Sequence, residues 1–403
     1  MAGPSAWLPA ERAPAFHRCA GWDVALETDF VAVRGQARYR DADLSEDGYG
    51  LQKIDSPVQS GIQFSSSVNG NDETICLFMH SYESFTLLRL SLPCRFGHPL
   101  IGENSTDFFD YLVAASGVRP RPLTWERNVG RVFRVRMLTD AERLREAIRP
   151  GSRVVVIGGG FIGGEVSASA RALGAEVTLL CPSVQLLRPA LGSVLAQKIM
   201  ERHEEAGVDV RVNERLPEVN ADAARIELAS GEIIEADVVV EAVGSLPNYE
   251  WLDSELLDLT DGVLCGNSLR AAGSENVYAI GDLARFPNPM FDDVPRRIEH
   301  WNIAVETGRL AAQSIPQVSG TQPSESVTDF TPLPSFWSNQ YEYRIQAYGL
   351  PRIADRIESL EGEMRSAPIM GYYRGDQLVA VVGLDNGPQL IEYSREVGSR
   401  PPQ

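Results

Sequence analysis

The residues with the clearest chemical pattern lie between positions 158 and 163, where the sequence reads GGGFIG. This fits the GxGxxG spacing, in which Gly158 makes a tight turn, Gly160 lets the backbone approach a pyrophosphate, and Gly163 lets a helix pack closely on a strand. The preceding SRVVVI reads as a buried strand, and the following EVSASARALG reads as an Ala-rich helix that ends at Gly174. The pattern predicts a dinucleotide site at the start of this helix; the alternative is a glycine turn with only a structural role.

The end of the next strand, EVTLLC, is where such a unit usually carries a carboxylate for the ribose 2′-hydroxyl, about 20 residues after the glycines. In this chain the position is Cys181. No acidic residue stands there, and no Arg follows at once to bind a 2′-phosphate. We therefore interpret Cys181 as a buried thiol without a ligand role.

Three further segments carry groups that suit a planar cofactor. Asp282 follows the apolar run NVYAIG, and its short carboxylate could bind a ribityl hydroxyl, although an ordinary N-cap Asp would look the same. The segments Glu299–Trp301 and Phe336–Ser338 each contain a Trp that could pack on a ring. Taken alone, a Trp is more often part of a core.

The elements around the glycines form a regular α/β pattern. A strand, a glycine turn, a helix and a second strand occur within about 30 residues, the length of one βαβ unit. A helix at Val194–Glu205, a strand at Val208–Val212 and a hairpin turning at Ser230–Gly231 follow, and the apolar run ADVVVEAVG ends at Gly244. Residues 120–244 are therefore predicted to form one α/β domain.

The flanking regions differ in character. After the strand NVYAIGD we predict a helix at Ile303–Ser314, the polar linker PQVSGTQPSESV, and a small α+β block with strands in SFWSNQYEYRIQAYG and QLVAVVGLD and a helix at Pro388–Val397. Before Asp107 there are only scattered strand-like runs, such as TICLFMH and FTLLRLSL.

Composition excludes several classes of protein. A chain of 403 residues is long enough for several domains, and a net charge of −18 opposes binding to nucleic acid or to anionic membranes. Five cysteines without a CxxC pair argue against a disulfide scaffold, a metal site of the zinc-ribbon type or a dithiol redox centre. There is no apolar run of membrane-spanning length, and the start MAGPSAWLPAERAPAF lacks the pattern of a signal peptide. We expect a cytoplasmic protein.

Several motifs together resemble one family. GGGFIGGEV, VEAVGSLPN, ENVYAIGDLARFP, EHWNIAVETGRLAA and SFWSNQYEYRIQAYG occur in the order and spacing of the ferredoxin/rubredoxin reductase-like, FAD-dependent pyridine nucleotide-disulphide oxidoreductases. The likeness runs from Phe109 to the C-terminus. It implies an α/β fold of two nucleotide-binding Rossmann-like domains, for FAD and NAD, plus a small α+β C-terminal interface domain. The implied bounds are 1–119 for the first part of the FAD domain, 120–244 for the NAD(P) domain, 245–325 for the rest of the FAD domain and 326–403 for the interface domain.

The resemblance also implies an activity. Hydride would pass from NAD(P)H to FAD, and single electrons would pass on to a ferredoxin-type iron–sulfur protein or a rubredoxin; the chain would be a monomer or a homodimer. No side chain is needed as an acid–base catalyst, because the cofactors supply the chemistry and the protein orients them. The residues implied at the cofactors are Gly158, Gly160 and Gly163 at the NAD pyrophosphate, Glu165 and Gly244 near the nicotinamide, Asp282 at the ribityl chain, and Glu299, His300, Trp301 and Trp337 around the isoalloxazine.

The chain also departs from the family pattern. Cys181 and Gln185 stand where the family has Glu and Arg, which predicts weak preference between NADH and NADPH. Near the start, only Leu44–Ser45 remains of a Pro-Pro-Leu-Ser-Lys segment, and residues 2–6 match only the end of a phosphate-binding turn. We therefore expect the N-terminal FAD half to be degenerate or truncated. The alternative function is that of a non-catalytic relative that keeps the fold as a binding or scaffold protein.

Overall fold

The computed structural model describes residues 111–214, 222–315, 330–362 and 368–399 in full, together with the backbone of short strands at 219–220 and between residues 17 and 107. Those early strands are His17–Cys19, Trp22–Glu27, Phe30–Gly35, Leu51–Asp55, Ser60–Val68, Asn71–Ser81, Ser84–Thr86, His98–Ile101 and Ser105–Asp107. The segments 2–6 and 44–46, on which the prediction of a degenerate FAD half depends, lie outside the described residues, as does the polar linker.

The chain divides into two compact units. The first unit comprises residues 117–248, 287–304 and 331–403, and the second comprises residues 1–116, 249–286 and 305–330. All of the predicted site residues except Asp282 belong to the first unit.

A parallel sheet with helices packed against it forms one part of the first unit. Its strands, from one edge to the other, are Val132–Phe133, Val238–Glu241, Arg153–Ile157, Glu176–Cys181 and Asp209–Val212, and every neighbouring pair is parallel. The α-helices of this part are Leu138–Ala147, Phe161–Ala172 and Arg188–Glu205.

This sheet is buried on both faces, which explains the continuous apolar runs of its strands. Alternate residues of the same strand enter different cores, because successive side chains point to opposite faces. One core contains Val154, Val156, Leu179 and Val240, and the other contains Val155, Ile157, Leu180 and Val239. The predicted parallel α/β sheet is confirmed.

Short elements complete this part of the unit. They are the 3-10 helix Val129–Arg131, the antiparallel pair Val118–Pro120 and Ser245–Pro247, the parallel pair Thr124–Trp125 and Val219–Asn220, the predicted hairpin Arg225–Glu227 and Ile233–Glu235, and the strand Asp292–Arg297.

The last block is an antiparallel sheet followed by a helix, as the α+β prediction required. Its strands are, in spatial order, Ser335–Gln340, Tyr343–Gly349, Gln377–Leu384, Ile369–Arg374 and Arg356–Glu361; the 3-10 helix Pro351–Ile353 and the helix Gly387–Ser394 complete it.

The antiparallel sheet packs on the helix Arg188–Glu205, which is longer than the predicted Val194–Glu205 because it continues past a kink. Gly192 at the kink has φ +68°, a left-handed conformation that glycine adopts without a steric penalty. The hydroxyl of Tyr372 donates to the Leu191 carbonyl at 2.5 Å, and a Cβ at Gly192 would lie 2.2 Å from Cδ1 of Ile357. The kink therefore makes room for the sheet.

In the second unit, Leu112–Ala114 pairs in parallel with Val277–Ala279 and, on its other side, with the backbone of Asn71–Ser81. Val263–Leu264 pairs in parallel with the first residues of Ala284–Asn288. The 3-10 helix Gly281–Leu283 follows the strand at 277–279, and the helix Trp301–Ser314 belongs to this unit from residue 305 onward. No helix within the described residues is long and apolar enough to span a bilayer.

Candidate functional site

The three glycines of the turn at 158–163 have different surroundings: Gly158 and Gly163 are closely packed, and Gly160 has open space beside it. A Cβ at Gly158, where φ is +119°, would lie 2.2 Å from the Ala242 carbonyl oxygen, and a Cβ at Gly163 would lie 1.9 Å from the Gly158 oxygen. These two glycines allow strand and helix to approach each other. At Gly160, by contrast, no described heavy atom lies within 4 Å of the Cβ position. Space for a ligand is therefore left at the helix N-terminus, where backbone N–H groups favour a phosphate.

A second loop with open space lies at Gly244, after the strand Val238–Glu241. Gly244 has φ +98°, and a Cβ there would meet no described heavy atom within 4 Å. The next residue, Ser245, has its hydroxyl 2.7 Å from both carboxylate oxygens of Glu299, which also pairs with Arg297. This contact fixes the loop beside the segment that begins at Glu299.

Glu165 connects the glycine-turn helix to the antiparallel sheet. The Ser338 hydroxyl donates to Oε1 of Glu165 at 2.5 Å. Because Ser338 follows Trp337 on the strand Ser335–Gln340, this contact places the predicted flavin-side strand next to the first turns of the helix Phe161–Ala172.

An aromatic cluster occupies the same region. The Phe336 ring lies 4.9 Å from the Phe161 ring and 5.2 Å from the His300 imidazole, measured between centroids. Trp301 and Trp337 meet edge to face at 6.4 Å. These two Trp residues are 61% and 52% exposed, so the reading of either one as a core residue is wrong. An indole pair left this open is suited to contact a further planar group or a partner.

His300 carries a polar atom that the described residues do not satisfy. Its Nδ1 is buried without a hydrogen-bond partner among them. Burial lowers the pKa of His300 to about 4, although the charge of Glu299 acts in the opposite direction. The imidazole is therefore neutral near pH 7, and its buried nitrogen is available to a bound group.

Cys181 ends its strand as predicted, with its thiol facing the glycine turn. A Cβ at Gly159 would lie 2.3 Å from the Sγ of Cys181, and burial raises the pKa of this thiol. The sequence pattern did not indicate a role for Arg188. In the structure its guanidinium donates to Oε1 of Gln185 at 3.0 Å. Arg188, the first residue of the next helix, thus brings a guanidinium to the loop after the strand, although it is not adjacent to Cys181 in the sequence.

Asp282 belongs to the second unit. It lies inside the 3-10 helix Gly281–Leu283, and Ile280 is the residue that precedes the helix, so the N-cap interpretation of Asp282 is wrong. Gly281 has φ +63°, and its N–H donates to the hydroxyl of the buried Thr307 at 2.9 Å. This hydrogen bond from the backbone of Gly281 stabilises the turn.

The first unit therefore brings together the nine other predicted residues through partners that the sequence reading did not assign. Ser245 and Ser338 make the two linking hydrogen bonds. A signal for Ser338 was present, because alternation along SFWSNQ places Phe336, Ser338 and Gln340 on one face of the strand, and two polar residues on a buried face indicate a polar network.

Comparison with known proteins agrees with this arrangement. Residues 60–308 match the family described as pyridine nucleotide-disulphide oxidoreductase, and residues 335–400 match the family described as reductase C-terminal. Rhodocoxin reductase of Rhodococcus erythropolis is 36% identical over 251 residues, which are 61% of this chain and 56% of that protein. Putidaredoxin reductase CamA of Pseudomonas putida is 32% identical over 299 residues, which are 72% of this chain and 68% of that protein.

Among solved structures, the covalent putidaredoxin reductase–putidaredoxin complex matches with a TM-score of 0.66 at 28% identity. The match covers 74% of this chain and 72% of that chain. The chain thus spans between 56% and 68% of the length of the two curated relatives.

Proposed function

The chain belongs to the pyridine nucleotide-disulphide oxidoreductase family, and from this premise we propose that it is an FAD-dependent NAD(P)H oxidoreductase. Electrons would pass from NAD(P)H through the flavin to a ferredoxin-type iron–sulfur protein or a rubredoxin. The observation that carries the proposal is the pair of hydrogen bonds, Ser338 to Glu165 and Ser245 to Glu299, which join a dinucleotide turn to an aromatic cluster within one unit.

The residues present fit a dinucleotide. Gly160 and Gly244 leave the open positions, and Gly158 and Gly163 allow the close helix–strand approach. The first N–H groups of a helix have no intrahelical partner and suit a phosphate at such a turn. Glu165 stands in the first turns of the same helix and offers a carboxylate to the nicotinamide end.

The residues present also fit the isoalloxazine end of a flavin. The buried Nδ1 of His300 lacks a partner among the described residues, Trp301 and Trp337 are open, and Glu299 is held in place by Ser245 and Arg297. When bound, FAD accepts a hydride from the nicotinamide and delivers electrons one at a time. Asp282, at the turn in the second unit, is proposed to bind the ribityl chain.

The partner is proposed from the relatives and from the exposed Trp pair. The relatives are named as reductases of rhodocoxin and putidaredoxin, and the solved neighbour is a covalent complex with putidaredoxin. A chain of net charge −18 would need a local cluster of Arg residues to bind an acidic partner. A cytoplasmic monomer or homodimer stays a prediction.

The proposal is tested by the absorption spectrum of the full chain after incubation with FAD. We expect a stoichiometric flavin band that NADH or NADPH bleaches anaerobically. Trp337→Ala should change the flavin fluorescence without unfolding the chain, because Trp337 is 52% exposed. The thermal unfolding midpoint should fall by no more than a few degrees, since the lost ring contact with Trp301 contributes about 1 kcal/mol. Ile391→Ala removes a similarly exposed apolar side chain from the helix Gly387–Ser394 and should leave the flavin fluorescence unchanged. A protein that stays colourless would instead support the scaffold alternative.

Nucleotide preference gives a separate prediction. We expect the wild-type chain to use NADH and NADPH with similar kcat/KM, because Cys181 gives the ribose no carboxylate and the Arg188 guanidinium is bonded to Gln185. Cys181→Glu should raise the NADH/NADPH ratio of kcat/KM about tenfold, the effect of one hydrogen bond of about 1.4 kcal/mol. Cys181→Ser is the matched control and should leave the ratio unchanged. A wild-type preference of about a hundredfold in either direction would contradict this prediction.

A further inference from the structure

Glu165 is the end of a continuous chain of side-chain hydrogen bonds. Ser338 Oγ lies 2.5 Å from Glu165 Oε1, and Gln340 Nε2 lies 3.1 Å from Ser338 Oγ. His203 Nε2 then lies 2.9 Å from Gln340 Oε1, and the Tyr341 hydroxyl lies 3.0 Å from His203 Nδ1. These hydrogen bonds connect the helix Phe161–Ala172, the helix Arg188–Glu205 and the first strand of the antiparallel sheet.

The direction of every bond follows from the carboxylate. Because an ionised Glu165 can only accept, Ser338 must donate its hydrogen there, and the Ser338 oxygen is free to accept from the Gln340 amide. The Gln340 carbonyl then faces His203, so His203 carries its proton on Nε2 and accepts at Nδ1 from Tyr341. Every donor therefore points toward Glu165.

Burial removes the alternatives to this arrangement. His203 is fully buried, and Ser338 and Gln340 are 1% exposed, so water does not compete for their polar atoms. Desolvation lowers the pKa of His203, which keeps the ring neutral, and burial raises the pKa of Tyr341 to about 12, which keeps its hydroxyl a donor. Arg202 lies over the Tyr341 ring at 4.3 Å and holds it in place.

Two backbone features provide the space that this chain needs. A Cβ at Gly164 would lie 2.5 Å from Oε1 of Gln340, so a glycine stands inside the helix although it costs about 1 kcal/mol relative to Ala. Tyr341 has φ +56°, a conformation that non-glycine residues seldom adopt. Both positions give up local preference to keep the polar side chains in contact.

This series of hydrogen bonds orients the Glu165 carboxylate and does not conduct protons. A Gln amide accepts at oxygen and donates at nitrogen, and passing a proton through it would require the unfavourable imidic acid form of Gln340. What the arrangement does is limit the Glu165 carboxylate to one rotamer. Of the residues that the structure describes, Ser338 is the partner of Glu165, and it occupies Oε1.

We propose that Ser338, Gln340, His203 and Tyr341 are positioning residues that hold Glu165 so that its remaining oxygen accepts the N–H of the nicotinamide carboxamide. This inference rests on the proposed function. In this proposal the four hydrogen-bonded side chains contribute to binding of the nicotinamide half of the dinucleotide and do not contribute to binding of the ADP-ribose half.

The test compares NAD⁺ with ADP-ribose, which lacks nicotinamide, by calorimetric binding to the full FAD-incubated chain. Ser338→Ala should weaken NAD⁺ binding about tenfold, the loss of about 1.4 kcal/mol, and leave ADP-ribose binding unchanged. Gly164→Ala should do the same by a different route, because its Cβ would lie 2.5 Å from Oε1 of Gln340 and so displaces that amide from its hydrogen bonds, while its backbone suits a helix. The matched control is Gln377→Leu, which removes an amide bonded to the Met290 and Gly398 carbonyls of the same unit and should affect neither ligand.

The tautomer of His203 gives a second readout that does not depend on any ligand. Nitrogen NMR of the wild-type chain should show the proton on Nε2. A proton on Nδ1, or loss of both ligands in parallel in Ser338→Ala and Gly164→Ala, or no loss of either, would overturn the inference. If the wild-type chain binds neither NAD⁺ nor ADP-ribose, and neither of their 2′-phosphorylated forms, it is the proposed function that fails.

Discussion

Gly160→Ala is expected to weaken binding of both NAD⁺ and ADP-ribose at least tenfold while the thermal unfolding midpoint stays within about one degree of wild type. The Cβ position at Gly160 meets no described heavy atom within 4 Å, and its φ of −86° suits alanine. The substitution should therefore cause no steric clash or backbone strain in the folded protein. The added methyl group instead fills the space in which the backbone would meet the pyrophosphate. A tenfold loss corresponds to about 1.4 kcal/mol.

Two other glycines serve as controls for this result. Gly130→Ala also adds a methyl group where no described heavy atom lies within 4 Å, but in the 3-10 helix Val129–Arg131 and not in the glycine turn, and should change neither binding nor stability. Gly163→Ala should lower the unfolding midpoint, because its Cβ would lie 1.9 Å from the Gly158 oxygen. Calorimetric binding and thermal unfolding of the three variants separate the two roles of the glycines. Full dinucleotide affinity in Gly160→Ala would show that the turn is only structural.

The largest loss of stability is expected at Glu241, the last residue of a central strand of the parallel sheet. Its side chain has no solvent exposure, accepts from the Trp125 indole N–H at 2.5 Å and pairs with Arg134. Glu241→Ala leaves both partners without their acceptor. Removing one member of a buried ion pair costs about 3–5 kcal/mol, and since Arg134 is 35% exposed and can regain water, we expect about 3 kcal/mol.

The control for Glu241 is an ion pair of the same chemistry on the surface. Glu235 pairs with Arg153 and has a side chain that is 58% exposed, so Glu235→Ala should cost less than about 1 kcal/mol. Urea denaturation of the full chain, followed by Trp fluorescence, measures both variants. Glu241→Gln, which keeps an acceptor for Trp125, should fall between them. Equal losses of unfolding free energy in Glu241→Ala and Glu235→Ala would contradict this prediction, because the buried carboxylate would then contribute no more to stability than the exposed one.

Local sequence was sufficient for the parts of the fold that depend on neighbouring residues. The glycine turn, the strand before it and the helix after it were predictable because spacing of three to four residues and continuous apolar runs are properties of single elements. The hairpin turning at Ser230–Gly231 was predictable for the same reason, since its turn residues lie between its strands. The thiol at Cys181 was correctly placed at a strand end.

Tertiary structure decided the contacts that build the site. Glu165 and Ser338 are distant in the sequence, as are Ser245 and Glu299, and their hydrogen bonds depend on how a sheet packs on a helix, which no local period encodes. The exposure of Trp337 depends on which face of its strand meets the protein, and a one-residue shift in register would exchange it with Ser338. A sequence specifies the backbone preferences of each segment; which polar groups meet follows only when register and packing place them within hydrogen-bond distance.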